Sequence, residues 1–264
     1  MHSKVLVSKS IRRLLAIVPL LGAALLAAHD VSADDKKPEP AKPSAPTAPP
    51  AATPAPATTA APKAADAKAA PSADEIAKRV QTFYDTTKTF KADFKQEYTI
   101  KVQNVKKAST GKVVFEKPGK MSWTYDAPNG NRVVSDGKTI KVYEKENEQM
   151  FETPVKNSQY PAALAFLMGT GNLTKDFSFR MLDAAQMKFE GGYVLEGTPK
   201  EATPAYQKII LYVDQATNQV RRVLILDAQG NKNRFEFNSA VANQTVEKKE
   251  FEFTPPAGTK TVKP

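Results

Sequence analysis

The stretch FEKPGKMSWTYDAPNGNRVVSDGKTIKVYEKE, Phe115 to Glu146, sets large apolar residues beside charges and separates them with short turns. Met121, Trp123 and Tyr125 fall on one face of a strand and Lys120, Ser122 and Thr124 on the other, the period of two that a pleated chain imposes. The turns Pro128-Asn129-Gly130 and Ser135-Asp136-Gly137-Lys138 then join this strand to Asn131–Ser135 and that one to Thr139–Glu144. Connections this short bring the chain straight back, so the neighbours are antiparallel. The segment holds no nucleophile beside a base and no cluster of metal ligands. Its residues are suited to burial rather than to reaction.

The same pattern extends in both directions. Before it, Phe90, Ala92, Phe94, Gln96 and Tyr98 alternate with Lys91, Asp93, Lys95 and Glu97. The spacing predicts further strands over Lys112–Glu116, Gln149–Pro154, Phe177–Leu182, Met187–Gly197, Gln207–Val213, Val220–Asp227, Asn231–Ala242 and Glu250–Phe253, joined by Gly, Asn and Asp turns. Two segments break the period. SADEIAKRVQTFYDTTKTF predicts a helix that Ser72 or Asp74 can cap, Glu75 falling three residues after Ser72 as in a capping box. Ile76, Val80, Phe83 and Tyr84 form its apolar stripe, with Lys78, Arg79 and Gln81 outside. In NSQYPAALAFLMGTGNLTKDF, residues Pro161, Ala162, Leu164, Phe166, Leu167 and Met168 predict a short helix ended by Gly169 and Gly171. The fold class expected is mainly β: one long, curved antiparallel sheet whose concave face is covered by two short α-helices.

The first quarter of the 264-residue chain reads differently. A basic start (Lys4, Lys9, Arg12, Arg13), an apolar run from Leu14 to Ala28 and the small-residue site Val31-Ser32-Ala33 have the layout of a secretory signal peptide, residues 1–33, cleaved near Ala33. The run is shorter than the roughly 20 residues that span a bilayer. Residues 34–71 are nearly all Ala, Pro, Thr and Lys, with no apolar side chain larger than alanine. Such a segment lacks the apolar area to offset its own ordering and is expected to be a disordered, extended linker that provides reach. The foldable domain is 72–264.

Composition narrows the chemistry. There is no cysteine, and the two histidines, His2 and His29, leave with the signal peptide. An exported chain without either has no thiol site, no Ser-His triad and almost no route to a zinc or haem site. Asp136 is the most conspicuous carboxylate, and it sits in an Asp-Gly hairpin turn. No phosphate loop or calcium loop appears. An enzyme, a metal and a cofactor are therefore not expected. The charge falls from +10 to +7 (34 basic against 27 acidic) once residues 1–33 are removed, and it is spread along the chain. Nucleic-acid binding needs a clustered basic patch or aromatic platforms, so no nucleic acid is expected. The many Phe and Met side chains suit a flexible acyl chain. They are equally compatible with a packed core.

The opening segment, taken from Gly111, resembles the characteristic segment of the LolA family of periplasmic outer-membrane lipoprotein carriers. TFKADFKQEY, AALAFLMGTGNLTKDFSF and FEFTPPAGTKTV agree with the same family, in order, so the resemblance runs from about residue 74 to 262. It implies an incomplete antiparallel β-barrel of about eleven strands with a helical lid, and a cavity that shelters acyl chains. It also implies acylated lipoproteins as cargo, an inner-membrane ABC-type release complex as donor and an outer-membrane acceptor, with a monomeric carrier in the periplasm and no cofactor. The acceptor of that system carries a lipidated cysteine; with none, this chain resembles the soluble carrier. By the resemblance, Met121, Trp123, Tyr125, Phe94 and Phe115 line the cargo cavity, and Leu164, Phe166, Leu167 and Met168 belong to the lid. The family's lid-latching arginine stands before a proline, and Lys117 precedes Pro118 here. Met121 replaces the family's cavity phenylalanine, and Ser122 replaces the arginine before Trp123. Lysine keeps the charge but not the planar five-donor fork, which predicts a less strictly latched lid. The alternatives are a protein of this fold that binds another lipid or senses envelope stress, and a non-catalytic β-rich interaction module with a solid core. A chain beginning at Ser72 is expected to keep the melting temperature of the longer form within a few degrees; a loss above about 10 °C would show that the linker packs on the domain.

Overall fold

The computed structural model describes residues 70–157 and 162–263. The predicted signal peptide, the predicted linker as far as residue 69 and Pro161 lie outside the described residues. The domain opens with α1 (Ala73–Thr86). Ser72 caps it, with its backbone N–H donating to Glu75 Oε2 and its hydroxyl accepting from Glu75 N, so both halves of the capping box form. Ile76, Val80 and Tyr84 are buried as the stripe requires, whereas Phe83 is half-buried. Gln81 is corrected from outside to inside: it is 7% exposed. It can be buried because both ends of its amide are satisfied, as described below.

Strands β1 (Thr89–Ile100), β2 (Val105–Glu116), β3 (Lys120–Tyr125), β4 (Arg132–Asp136), β5 (Thr139–Glu144) and β6 (Gln149–Pro154) form one antiparallel meander. After the 3₁₀ segment Ala162–Met168 and a single turn, α2 (Leu173–Asp176), a second meander follows. It comprises β7 (Phe177–Leu182), β8 (Gly192–Pro199), β9 (Lys208–Asp214), β10 (Val220–Leu226) and β11 (Lys232–Ala242). β11 pairs with β1. A short β12 (Lys260–Val262) adds to β6. The described residues thus form one open sheet in the order β12-β6-β5-β4-β3-β2-β1-β11-β10-β9-β8-β7.

Several boundaries differ from the sequence pattern, each for a local reason. The segment read as a lid helix is a 3₁₀ helix rather than an α-helix. Its rise of about 2.0 Å per residue, against 1.5 Å for α, carries a short segment further across the sheet. Residues 187–191 leave the predicted strand, and residues 184–188 form a turn capped by Asp183, which accepts from the backbone of Ala185 and Gln186. That turn folds Phe189 onto Tyr212, ring centroids 5.4 Å apart, on the outer face of the sheet. β2 begins at Val105 rather than Lys112, because its first half is polar on both faces and carries no burial signal. The twelfth strand, β12, is exposed along its length and runs parallel to β6, so neither periodicity nor a hairpin turn announces it.

The predicted strand Glu250–Phe253 is also corrected. Lys248–Phe251 is a 3₁₀ turn lying on the outer face of β3 and β4. Ser122 Oγ donates to Glu250 Oε1 at 2.6 Å and accepts from Arg132 Nη1 at 2.6 Å. Where the family resemblance places an arginine at position 122, the guanidinium here arrives from the neighbouring strand instead. Phe251 is buried beside it, with the Lys120 ammonium 5.4 Å from its ring centroid. Further on, Phe253 packs on Tyr143 and its carbonyl accepts from Lys141 Nζ. This strap explains why Ser122, outward-facing by register, is buried. Phe251→Ala is expected to lower stability by about 3 kcal/mol, through lost burial and the cavity left behind. Urea denaturation checks this, and a change under about 1 kcal/mol would mean that the strap does not pack.

Candidate functional site

The concave face gathers the largest side chains of the protein. Phe90 and Phe94 come from β1, Phe115 from β2, Met121, Trp123 and Tyr125 from β3, and Phe235 and Phe237 from β11; all are buried. Their rings meet across the sheet. Trp123 lies 4.9 Å from Phe94, 5.8 Å from Phe115 and 5.2 Å from Phe235, centroid to centroid. β3 and β11 are separated by β2 and β1, which in a flat sheet would put them about 14 Å apart. Contact at 5.2 Å therefore requires the sheet to curl strongly around this cluster. Gly111 leaves room for this packing: a Cβ there would sit 2.0 Å from Thr124 O and 2.8 Å from the Phe94 ring. All five residues that the resemblance assigns to a cavity stand in this cluster.

Two segments outside the sheet cover the face. From α1, Ile76, Ala77, Val80 and Tyr84 join the cluster; from the 3₁₀ segment, Leu164, Phe166, Leu167 and Met168 do so. The two covers meet where the Tyr84 and Phe166 rings pack edge to face at 5.0 Å. Three polar ties reinforce the cover. Gln81 Oε1 accepts from Leu173 N at 2.7 Å, while its Nε2 donates to Asp85. Gly119 N donates to Met168 O at 3.2 Å. The Tyr84 hydroxyl accepts from Val220 N at 3.1 Å. Burial pushes the Tyr84 phenol well up, more than the Val220 N–H lowers it, so it stays neutral. The roles of Gln81 and Val220 had no signal in sequence, since both depend on partners far along the chain.

Lys117 stands where the two covers join the sheet. Its Nζ donates to Tyr84 O, in the last turn of α1. That turn carries no basic residue of its own, so Lys117 supplies the cation that the negative end of a helix favours. Burial pushes the Lys117 pKa down, and the charge of nearby Asp85 offsets this in part. The stem of the same side chain runs against Gly169, which ends the 3₁₀ segment. A Cβ at Gly169 would lie 2.8 Å from Lys117 Cδ, and its φ of +71° already favours glycine. One lysine therefore touches both covers.

At the other end of β1 the face becomes polar. Gln96 Nε2 donates to Asn233 Oδ1 at 2.9 Å, and both side chains are buried. Asp136 accepts from the backbone of Lys138 and Thr139 within its turn. Burial pushes its pKa up, but these N–H groups outweigh that and hold it below the usual carboxylate range. This is turn chemistry. Among the described residues no group of three or more His, Cys, Asp or Glu is arranged to hold a metal.

The class defined by this fold is an open, curled, mainly antiparallel sheet whose apolar concave face is covered by segments outside the ladder. The family described as outer membrane lipoprotein carrier protein LolA matches residues 85–254, and the chain belongs to it. It is similar to the outer-membrane lipoprotein carrier protein of Nitrosomonas europaea, 28% identical over 193 residues, which are 73% of this chain and 91% of that one. The corresponding protein of Bordetella pertussis is 29% identical over 196 residues, 74% of this chain and 90% of that one. Among solved structures, that of a LolA superfamily protein from Nitrosomonas europaea aligns with a TM-score of 0.40 at 15% identity, covering 70% of this chain and 99% of the other. The family is one of carriers, not enzymes.

Amide hydrogen exchange over residues 162–171 reads the hold that Lys117 has on the cover. Lys117→Ala is expected to speed it about tenfold, the loss of roughly one charge-assisted hydrogen bond, and Lys117→Arg to leave it equal or slower. Gly169→Ala, which adds strain and a clash, is expected to act like Lys117→Ala. Equal protection in all variants would remove Lys117 from any latching role.

Proposed function

We propose that the protein is a periplasmic lipoprotein carrier, holding the acyl chains of its cargo against the concave face after α1 and the 162–168 segment lift away. The observation that carries this reading is the separate cover: the apolar face is closed by two segments that are not part of the hydrogen-bonded sheet. The carrier names of its relatives support the same reading.

Magnitudes favour an exchange of cover for cargo. Each buried CH₂ is worth about 0.8 kcal/mol, so a chain of about sixteen carbons gains roughly 12 kcal/mol on leaving water. Burying Leu164, Phe166, Leu167 and Met168 of the 162–168 segment and Ile76, Val80 and Tyr84 of α1 gives about 1.5–3 kcal/mol each, a sum of the same order. Cover and acyl chain thus compete for one surface on nearly equal terms. A near-balanced exchange lets cargo enter and leave without a cofactor.

In this reading the chain is exported, cleaved near Ala33, and acts as a monomer. Residues 34–71 give the carrier domain, 72–264, its reach. An inner-membrane ABC-type complex loads the cargo, and an outer-membrane acceptor takes it. Met121, Trp123, Tyr125, Phe94 and Phe115 would contact the acyl chains, and Lys117 would set how readily the cover opens.

Trp123 is the single tryptophan of the chain, so its emission reports directly on the concave face. A triacylated lipopeptide is expected to change that emission saturably, and the same peptide without acyl chains to leave it unaltered. Met121→Glu puts a carboxylate on the apolar face and is expected to weaken lipopeptide binding at least about tenfold. A folded Met121→Glu that binds like the wild type would remove Met121 from the site. Identical responses to acylated and bare peptide would sink the carrier reading.

A further inference from the structure

The concave face carries hydrogen-bond donors that the closed protein leaves without acceptors. Asn233 on β11 is 3% exposed, and its Oδ1 is engaged by Gln96 Nε2. Its Nδ2 has no partner among the described residues. Trp123 Nε1, on the same face and fully buried, has none either. Buried donors of this kind are rare, and each calls for an explanation. Hydrocarbon tails do not supply one, since an alkyl chain has nothing to accept.

Position adds to this. Gln96 lies six residues along β1 from Phe90, about 20 Å, toward the strand end remote from Lys117 and the cover. Tyr98 stands opposite Asn233 in the β1–β11 register and is also buried. Burial, with Asp227 nearby, keeps its phenol protonated and hence able to donate. The apolar face therefore ends in a short polar band.

We infer that Asn233, braced by Gln96, is a subsite for the ester carbonyl that joins an acyl chain to its head group. The inference rests on the carrier reading and specifies which part of the cargo is held where. The carbonyl would accept from Asn233 Nδ2, and the tail would run from there along the aromatic cluster toward the cover. A site that offers a hydrogen bond discriminates against a ligand that cannot complete it, because the buried donor then stays unpaired.

The test compares a lipopeptide carrying two ester-linked chains with its ether-linked analogue of equal chain length, both titrated against Trp123 emission in the purified protein. The wild type is expected to bind the ester about tenfold more tightly. Asn233→Leu should abolish the preference by weakening only the ester, and Gln96→Leu, which frees the Asn233 amide to turn, should reduce it. Equal binding of the two ligands by the wild type would overturn the subsite while leaving the carrier reading intact, and needs no variant to fold. An undiminished preference in Asn233→Leu would overturn it as well. Binding of neither ligand would overturn the carrier reading and the subsite together.

Discussion

The structure depends on one topological constraint: β1 pairs with both β2 and β11, so two meanders hang from a single strand and their far ends lie on opposite sides of the sheet. The chain must travel from β6 on one side to β7 on the other. The apolar concave face lies in its path, so the connection that solves the topology also covers the core. It does so with a 3₁₀ segment and a one-turn helix, neither of which is a strand of the ladder. These covering segments are held by apolar contact and a few single hydrogen bonds, whereas an added strand would be held by a row of backbone bonds.

The two sides of the sheet are closed in different ways. On the outer face the C-terminal strap is fixed by the Arg132–Ser122–Glu250 contacts, by Phe251 and by the Tyr143–Phe253 pair, and then joins the ladder as β12. On the concave face the cover relies on apolar contact and a few single hydrogen bonds. Apolar contact is non-directional, so another apolar surface can replace it at little cost. The outer closure is made by directional polar contacts as well as packing, the inner one mainly by apolar packing.

Lys117 links the two covers. It places a cation at the end of α1, which brings no basic residue to its own last turn, and lays its stem against Gly169. An arginine fork can hold two acceptors, while lysine meets its single helix carbonyl as a compact, strongly hydrated charge. The position thus joins both covers through one flexible side chain.

Much of this was legible in the residues themselves. Alternation in Phe90–Tyr98 and Lys120–Tyr125, the Asn-Gly and Asp-Gly turns and the Ser72/Glu75 box are local signals, and local geometry suffices to read them. The order of four motifs pointed to the family for the same reason. The turn holding Phe189, the strap at Glu250 and the parallel β12 were not legible, because each is stabilised by residues far along the chain: Tyr212, Ser122 with Arg132, and the free side of β6. Gln81 reads as solvent-facing from its polarity and becomes buried only because Leu173 and Asp85 satisfy its amide. The sequence by itself determined which faces are apolar and where the chain turns. Which face is closed by a strap with directional polar contacts and which by apolar packing was decided by the tertiary structure, since only the meeting of distant segments sets whether a contact is directional or merely apolar.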